Sequence, residues 1–201
     1  MDRRKLFVLM GGLVAGALAL PPGEARAQAS AWPDKPVKIV VPFAPGGATD
    51  QTARVWAEKL TQAFNQQFVI ENRGGASGMI GAEAVAKAPP DGYTYLLGTN
   101  TPVVTLPALR KVAYDPKAFV AVGRVGDAVT GFVINPSTGI KTFADMVEYA
   151  RKSPGKLAFG SSGLATAPHL RFEIMRMRTG VDILHVPYRG GADTLNDLLS
   201  G

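Results

Sequence analysis

The chain has 201 residues, of which 46% are hydrophobic, 19% are charged and none is cysteine. This composition predicts a folded globular protein rather than a disordered one, and it excludes disulfides, lipid attachment through cysteine and thiolate metal sites. The formal net charge of +6 includes four basic and two acidic residues within the first 29. The remainder is mildly positive and shows no Lys/Arg cluster interleaved with aromatic residues. We therefore expect no nucleic-acid partner, whereas a mildly positive cleft would favour anionic ligands.

The first 29 residues have the pattern of a cleaved secretory signal. A basic head, Met1–Lys5, precedes fifteen uncharged residues, 6–20, and small-residue endings follow at Ala27 and Ala29. A helix of that length reaches about 22 Å, short of a hydrocarbon core of ~30 Å. We expect cleavage near Ala27 or Ala29 and release into the periplasm. A membrane anchor is the alternative interpretation, and Arg3-Arg4 leaves both Sec and twin-arginine export open.

Strand and helix patterns alternate along the rest of the chain. Helices of ten or more residues between strands predict parallel βαβ units and doubly wound sheets. The first helix is expected to bury Ala53, Trp56, Leu60 and Phe64. Thr142 and Asp145 resemble a capping box at the start of a later helix. The predicted strands span 37–43, 68–70, 93–98, 119–125, 131–134, 157–160 and 183–186, and the predicted helices span 49–64, 78–88, 101–109, 142–153, 167–179 and 192–199.

Two glycine-containing loops stand where a strand is followed by a helix. In the first loop, Pro45-Gly46-Gly47 precedes Thr49 and Asp50. A helix N-terminus carries free N–H groups and partial positive charge, and glycines let the backbone approach an anion closely. The alternative is that Thr49 or Asp50 only caps its own helix and that the glycines only turn the chain.

The second loop, Gly160–His169, offers more polar side chains. It contains Ser161, Ser162, Thr166 and His169, which supply hydroxyl groups and an imidazole. Ordinary capping with a surface histidine explains it about equally well. Ligands of open α/β sheets lie beyond the carboxyl ends of strands. Two such loops, far apart in sequence, therefore favour two lobes that face each other across an anion site.

Patterns typical of catalysis are weak. Gly160-Ser161-Ser162-Gly163 is followed by Leu164 where a nucleophile elbow requires glycine. Gly75–Gly81 matches neither the dinucleotide fingerprint nor a phosphate-binding loop. The two histidines, His169 and His185, have no partners at metal-ligand spacing, and His185 is interpreted as a structural residue at a strand end. No catalytic residue, metal or cofactor is therefore predicted, although a serine hydrolase using Ser161 or Ser162 with His169 remains a minor alternative.

An ordered set of short motifs resembles the substrate-binding receptors of tripartite tricarboxylate transporters, the Bug receptors. No single motif is specific, but their order along the chain is. The matching segments are 32–36, 40–43, 45–47, 49–50, 71–73, 80–83, 90–93, 98–100, 114–116, 154–156, 160–161, 166, 169–170, 181–182 and 185–191.

The resemblance implies a fold and a ligand class. The implied fold is α/β, a two-lobed periplasmic binding protein-like (type II) fold with doubly wound, mainly parallel sheets. The first lobe would span 30–125 and the second, incomplete lobe 126–201. A small organic carboxylate would bind between the lobes, with Tyr188 and Gly190-Gly191 near the second face. The implied ligand-binding residues are Pro45, Gly46, Gly47, Ala48, Thr49, Asp50, Thr99, Asn100, Ser161, Ser162, Gly163, Thr166 and His169.

The same resemblance implies a role and some departures. The role is delivery of the ligand to integral membrane transporter subunits, with an exported sensor for a signalling partner as the alternative. The family often has a third glycine where Ala48 stands and a glycine where Ala165 stands. Together with Leu164, Val103 and Leu106, these replacements favour a ligand with hydrocarbon or aromatic parts. Family members run roughly a hundred residues further, so a C-terminal truncation is expected.

Overall fold

The computed structural model describes residues 32–201. The predicted signal and its cleavage sites lie outside the described residues. Within them, no helix has the length and apolar character needed to cross a membrane. Residues 33–201 form one compact unit. The lobe boundary between residues 125 and 126 stays a prediction.

A three-stranded parallel sheet, in the order β2-β1-β3, forms the first half. Its central strand β1, Val37–Val41, pairs with β2, Phe68–Asn72, and with β3, Thr94–Leu96. Four of the five β1 residues are buried, and these four are all β-branched, whereas Lys38 is exposed. Because all three strands are parallel, the loops that follow them emerge at the same edge of the sheet.

Helix α1, Ala48–Phe64, packs on this sheet with a face that matches the predicted one in part. Ala53 is buried as predicted, and Leu60 packs against the core of the first half. Asp50, Ala53 and Ala57 are its buried residues. The prediction that Trp56 and Phe64 face the core is wrong, because their exposed fractions are 40% and 43%. The indole N–H of Trp56 instead donates to the Val125 carbonyl. Small alanines let the helix approach β1 and β2 closely, and the large aromatics lie at the margin.

The middle of the chain contains short elements. Helix α2, Met79–Ala86, follows β2, and a wide helical turn, Thr101–Thr105, leads into α3, Leu106–Leu109. The helices predicted at 78–88 and 101–109 are thus confirmed with shifted ends. Two 3-10 turns span Pro116–Ala118 and Pro136–Thr138.

Residues 119–134 form no strand, so the strands predicted at 119–125 and 131–134 are wrong. Their apolar residues are largely solvent-exposed, with Val129 at 99% and Val120 at 86%. A strand requires a neighbour that shares its hydrogen bonds, and no described strand runs beside this segment. The apolar pattern alone was therefore insufficient to form a strand.

The second half contains a two-stranded parallel sheet of β4, Ala158–Ser161, and β5, Leu184–Pro187. Three helices accompany it: α4, Phe143–Lys152, α5, Ala167–Thr179, and α6, Gly191–Ser200. The predicted capping box of Thr142 and Asp145 is confirmed at α4. Ala150, Phe172, Met175, Val181 and Ile183 form the buried core of this half.

Candidate ligand-binding site

The first loop, Pro45–Asp50, is braced by a buried carboxylate. Asp50 is 2% exposed, and its Oδ2 accepts the Gly46 N–H at 2.9 Å. The same oxygen accepts Arg54 Nε at 2.9 Å, while Oδ1 accepts the Asn72 amide at 2.9 Å. Asn72 also donates to the Phe43 carbonyl at 3.2 Å. We call these hydrogen bonds among Asp50, Arg54, Asn72 and Gly46 the Asp50 brace. The brace connects the loop to the ends of β1 and β2.

The electrostatics of this brace favour the ionised carboxylate. Burial acts to raise the pKa of the Asp50 carboxyl, but hydrogen bonds from Arg54, Gly46 and Asn72 outweigh it and hold the pKa below 3.8. Hydrogen bonds that involve an ionised group are roughly twice as strong as neutral ones. Asp50 thus remains charged at neutral pH and has its acceptor positions occupied by the protein.

The second loop, Gly160–His169, is organised around the Ser161 hydroxyl. Ser161 is 2% exposed; its Oγ donates to the Gly163 carbonyl at 3.1 Å and accepts the Gly163 N–H at 3.2 Å. Its Oγ also lies 2.7 Å from His185 Nε2. With the hydroxyl proton directed to Gly163, an Nε2–H on His185 completes the hydrogen bonding of this oxygen. The Ser161 hydroxyl therefore connects Gly163 and His185 by hydrogen bonds inside the protein.

Two histidine rings stack on each other, one from the second loop and one from β5. The rings of His169 and His185 lie 4.2 Å apart at 29°. His169 Nδ1 accepts the Ala165 N–H at 3.0 Å, and its Nε2 lies 3.8 Å from a Glu173 oxygen. Burial lowers the pKa of His185, His169 lowers it further and Glu173 acts to raise it, so the net pKa lies below 6.5. His185 is therefore suited to a neutral state.

Thr166 forms a buried hydrogen bond within the second loop. Its Oγ1 donates to the Gly163 carbonyl at 2.7 Å, and the residue is 2% exposed. Ala165 adopts a positive φ of 59° beside it. Ser161, Thr166 and His169, all predicted as ligand-binding residues, thus have side chains engaged within the protein.

A different group of predicted residues has side chains that are available for hydrogen bonding. The Thr99 Oγ1 atom is buried and has no hydrogen-bond partner among residues 32–201. It follows β3 at the edge where β1 also ends, since the Leu97 N–H donates to the Val40 carbonyl at 2.9 Å. Over the same described range, the side chains of Thr49, Asn100 and Ser162 make no hydrogen bond to protein.

The first loop meets the start of α6. A Cβ placed on Gly47 would lie 3.4 Å from the Gly191 nitrogen, and one placed on Gly190 would lie 3.0 Å from the Ala44 Cβ. The Ala44 N–H donates to the Arg189 carbonyl at 3.4 Å. The N-terminal ends of α1 and α6 thus lie together, and Gly190-Gly191 lies beside the first loop.

Side-chain capping distinguishes the helices that follow strand ends from α4, although the short helix α3 also lacks a side-chain cap. The helices α1, α2, α5 and α6 follow strand ends, and none has a side-chain hydrogen bond at its N-cap. Helix α4, which follows no strand, has both hydrogen bonds of a capping box. The positive ends of four helices are thus left without side-chain caps at the strand ends, where an anion could accept hydrogen bonds from N–H groups that remain free.

The apolar residues that depart from the family pattern lie in different parts of the structure. Ala48 is the first residue of α1 and is not among the residues with positive φ, so no glycine is required there. Leu106 is 3% exposed and Leu164 is 57% exposed. Only the latter lies on an open surface of the loop region.

Some residues that support the two loops were not predicted from the sequence. Asn72 and Arg54 complete the Asp50 brace, and Ser77 contacts the second loop. Asn72 belongs to a motif of the family resemblance, but spacing alone gave no reason to place it beside Asp50. Among these residues, Arg54 could have been predicted to pair with Asp50, because it lies four residues later on the same helix.

Comparison with known proteins supports one family. The family described as "TctC: Tripartite tricarboxylate transporter family receptor" matches residues 52–201. BugT of Bordetella pertussis is 34% identical over 204 residues, which cover 100% of this chain and 61% of BugT. The chain spans 54–62% of the length of the curated relatives it matches.

Solved structures match the fold as well. A protein of R. palustris solved with adipate is 39% identical with a TM-score of 0.71; the match covers 83% of this chain and 56% of that one. MatC from Rhodopseudomonas palustris with bound malate is 27% identical with a TM-score of 0.72, covering 83% and 57%. The expected periplasmic binding protein-like α/β fold with parallel sheets is thus confirmed.

Proposed function

This chain belongs to the tripartite tricarboxylate transporter receptor family, and from that premise we propose that it binds a small organic carboxylate at the loops following its parallel strands. It would do so in the periplasm and deliver the ligand to integral membrane subunits of a tripartite tricarboxylate-type transporter. Members of this family are receptors, so binding rather than turnover is the activity to test.

The contrast in helix capping carries the proposal. Four helices begin at strand ends without a side-chain cap, and two of them, α1 and α6, approach each other at Gly47 and Gly191. Like-signed helix ends that lie together are stabilised by a shared anion. The buried, unpartnered Thr99 Oγ1 supplies an additional donor at the same edge of the first sheet.

The predicted site residues divide into two proposed roles. Backbone N–H groups of Gly47, Ala48 and Thr49, together with side chains of Thr49, Thr99, Asn100 and Ser162, contact the ligand. Side chains of Asp50, Ser161, Thr166 and His169 hold the loops in position, while Pro45, Gly46 and Gly163 shape the backbone. Related structures contain adipate and malate. A dicarboxylate is therefore the ligand class to test first, and the exposed Leu164 favours one with a hydrocarbon portion.

Two alternatives predict different observations. An exported sensor would bind the same ligand but would associate with a signalling protein rather than a transporter. A serine hydrolase would need a serine hydroxyl hydrogen-bonded to His169. The buried Ser161 hydroxyl bonds to Gly163 and His185 instead, and the Ser162 hydroxyl makes no hydrogen bond within residues 32–201. The sensor is therefore the stronger alternative.

Titration calorimetry and thermal unfolding of the purified protein test the proposal. The panel contains adipate, malate, benzoate and adipamide, an uncharged control that matches adipate in length. We expect saturable binding of at least one carboxylate and none of adipamide. A ligand at 100 times its Kd adds about 2.7 kcal/mol of stability, a shift of several degrees in Tm. If adipamide bound as well as adipate, or if no carboxylate bound, the proposal would be wrong.

A further inference from the structure

The turn after β2 has an unusual backbone. The four residues Gly75, Ala76, Ser77 and Gly78 have positive φ values of 125°, 48°, 57° and 91°. We call Gly75–Gly78 the bridging turn. Left-handed conformations are disfavoured for residues with a side chain, and single residues rather than runs normally adopt them. Such a conformation persists where the surrounding structure holds it, which is frequent at functional sites.

The surroundings of the bridging turn do hold it. A Cβ on Gly78 would lie 3.3 Å from Pro102 and 3.4 Å from Pro42, so the turn packs against the segments that follow β1 and β3. The Gly78 N–H donates to the Gly75 carbonyl at 3.0 Å. The turn is therefore part of the same edge of the sheet as the first loop and Thr99.

The bridging turn also reaches the second loop. A Cβ placed on Gly163 would lie 2.7 Å from Ser77 Oγ and 3.4 Å from Ser77 Cβ. Gly163 itself has a φ of 127°. Since Ser77 makes no side-chain hydrogen bond within residues 32–201, its position follows from the backbone of the turn and from this contact.

We propose that Ser77 is a positioning residue: the bridging turn holds its side chain against Gly163, and this contact sets how closely the second loop approaches the first. The inference rests on the proposed carboxylate-binding function. A larger residue at position 163 would keep the loops apart, and the ligand would then lose contacts from one of them. Ser162, whose free hydroxyl is proposed to contact the ligand, is adjacent in the chain and would be displaced with the loop.

A cysteine cross-link tests the contact without any ligand. The chain contains no cysteine, so an introduced pair has no competitor. The 3.4 Å separation between Ser77 Cβ and a Cβ at position 163 lies just below the usual range of about 3.5–4.5 Å for disulfides, so a small shift suffices to form one. We expect the full chain carrying S77C and G163C to form an intramolecular disulfide under mild oxidation. The control pair S77C and G139C should not, because nothing lies within 4 Å of a Cβ at Gly139. Equal oxidation of the two pairs would overturn the proposal.

A double-mutant cycle tests the positioning role. Gly163→Ala should weaken binding of adipate or malate at least tenfold and lower Tm, whereas Gly139→Ala, also at a positive φ, should change binding less than twofold. Ser77→Ala removes the oxygen that would lie 2.7 Å from the new Cβ of Gly163→Ala and leaves the backbone strain unchanged, so adding it to Gly163→Ala should recover part of the lost affinity. No recovery would mean that strain at Gly163 alone is responsible and would overturn the role assigned to Ser77.

The two tests separate this inference from the proposed function. If neither adipate nor malate binds the wild-type chain, the cross-link and the Tm values of the same four variants still decide the inference. Recovery of Tm by Ser77→Ala in the Gly163→Ala background supports the contact, and its absence together with failed cross-linking overturns it.

Discussion

The first and second loops reach similar positions after β1 and β4, but different chemistry holds them. The first loop is fixed by an ionised, buried Asp50 that accepts hydrogen bonds from three residues. The second loop is fixed by the uncharged Ser161 and Thr166 hydroxyls and by two stacked histidines. Both keep their bracing side chains inside, and both leave backbone N–H groups at the start of a helix unsatisfied by side chains.

The difference predicts that the loops respond to different perturbations. Charge removal should affect the first loop more strongly, because hydrogen bonds to charged groups contribute more than neutral ones. Mild acid should affect only the second loop, because the Asp50 carboxyl, whose pKa is lowered, stays ionised while His185 becomes protonated. Four substitutions or conditions separate these responses.

The largest stability loss is expected for Asp50→Ala. It leaves the Gly46 N–H and the Asn72 amide without their buried acceptor, which should lower the free energy of unfolding by roughly 2–3 kcal/mol. Denaturant unfolding measures the change. Arg54→Ala is the matched control, and its effect should be smaller because the Arg54 side chain is 57% exposed. Equal losses in both variants would contradict the central position of Asp50.

Ser161→Ala should cost about 1–2 kcal/mol, because it removes a buried hydroxyl with hydrogen bonds to Gly163 and His185. Ser162→Ala, one residue away, should change stability by less than about 0.5 kcal/mol and should instead weaken carboxylate binding. Unfolding and calorimetry on both variants measure the two effects. Reversed results would show that Ser161 faces the ligand and Ser162 braces the loop.

A third and smaller effect is expected from pH. The pKa of His185 is lower in the folded state than 6.5, so the unfolded chain binds more protons and stability falls as pH decreases from about 7 to 5. The pKa of the Glu71 carboxyl is lowered below 4.5 and those of Asp50 and Asp145 below 3.8, so their contributions are lost only under more acidic conditions. His185→Gln, with an amide that can donate to Ser161, should flatten the curve between pH 5 and 7. An unchanged slope would assign the dependence to another group.

The smallest change, with the opposite sign, is expected for Thr99→Val. Valine has a similar shape without the unpartnered hydroxyl, so stability should stay the same or rise by up to about 1 kcal/mol. Carboxylate affinity should fall. A clear loss of stability would mean that the Thr99 hydroxyl has a structural partner, and unchanged affinity would remove it from the proposed contacts.

The sequence predicted the elements better than the packing between them. Helices at 49–64 and 167–179 and the capping box at Thr142 followed from periodicity and local chemistry and were confirmed. The strands at 119–125 and 131–134 failed because strand formation depends on a partner rather than on the apolar pattern itself. The site residues lay in recognisable loops, but their division into bracing and available side chains could not be predicted. The Asp50–Asn72 and Ser161–His185 hydrogen bonds join residues 22 and 24 positions apart.

Titration of adipate and malate into the wild-type protein and into a double variant, Thr99→Val with Ser162→Ala, is the most direct test of the site. The proposed division predicts saturable binding of at least one dicarboxylate by the wild type, at least tenfold weaker binding by the double variant, and Tm values of the two ligand-free proteins within a few degrees. Equal affinities in the two proteins, or no binding by the wild type, would contradict it.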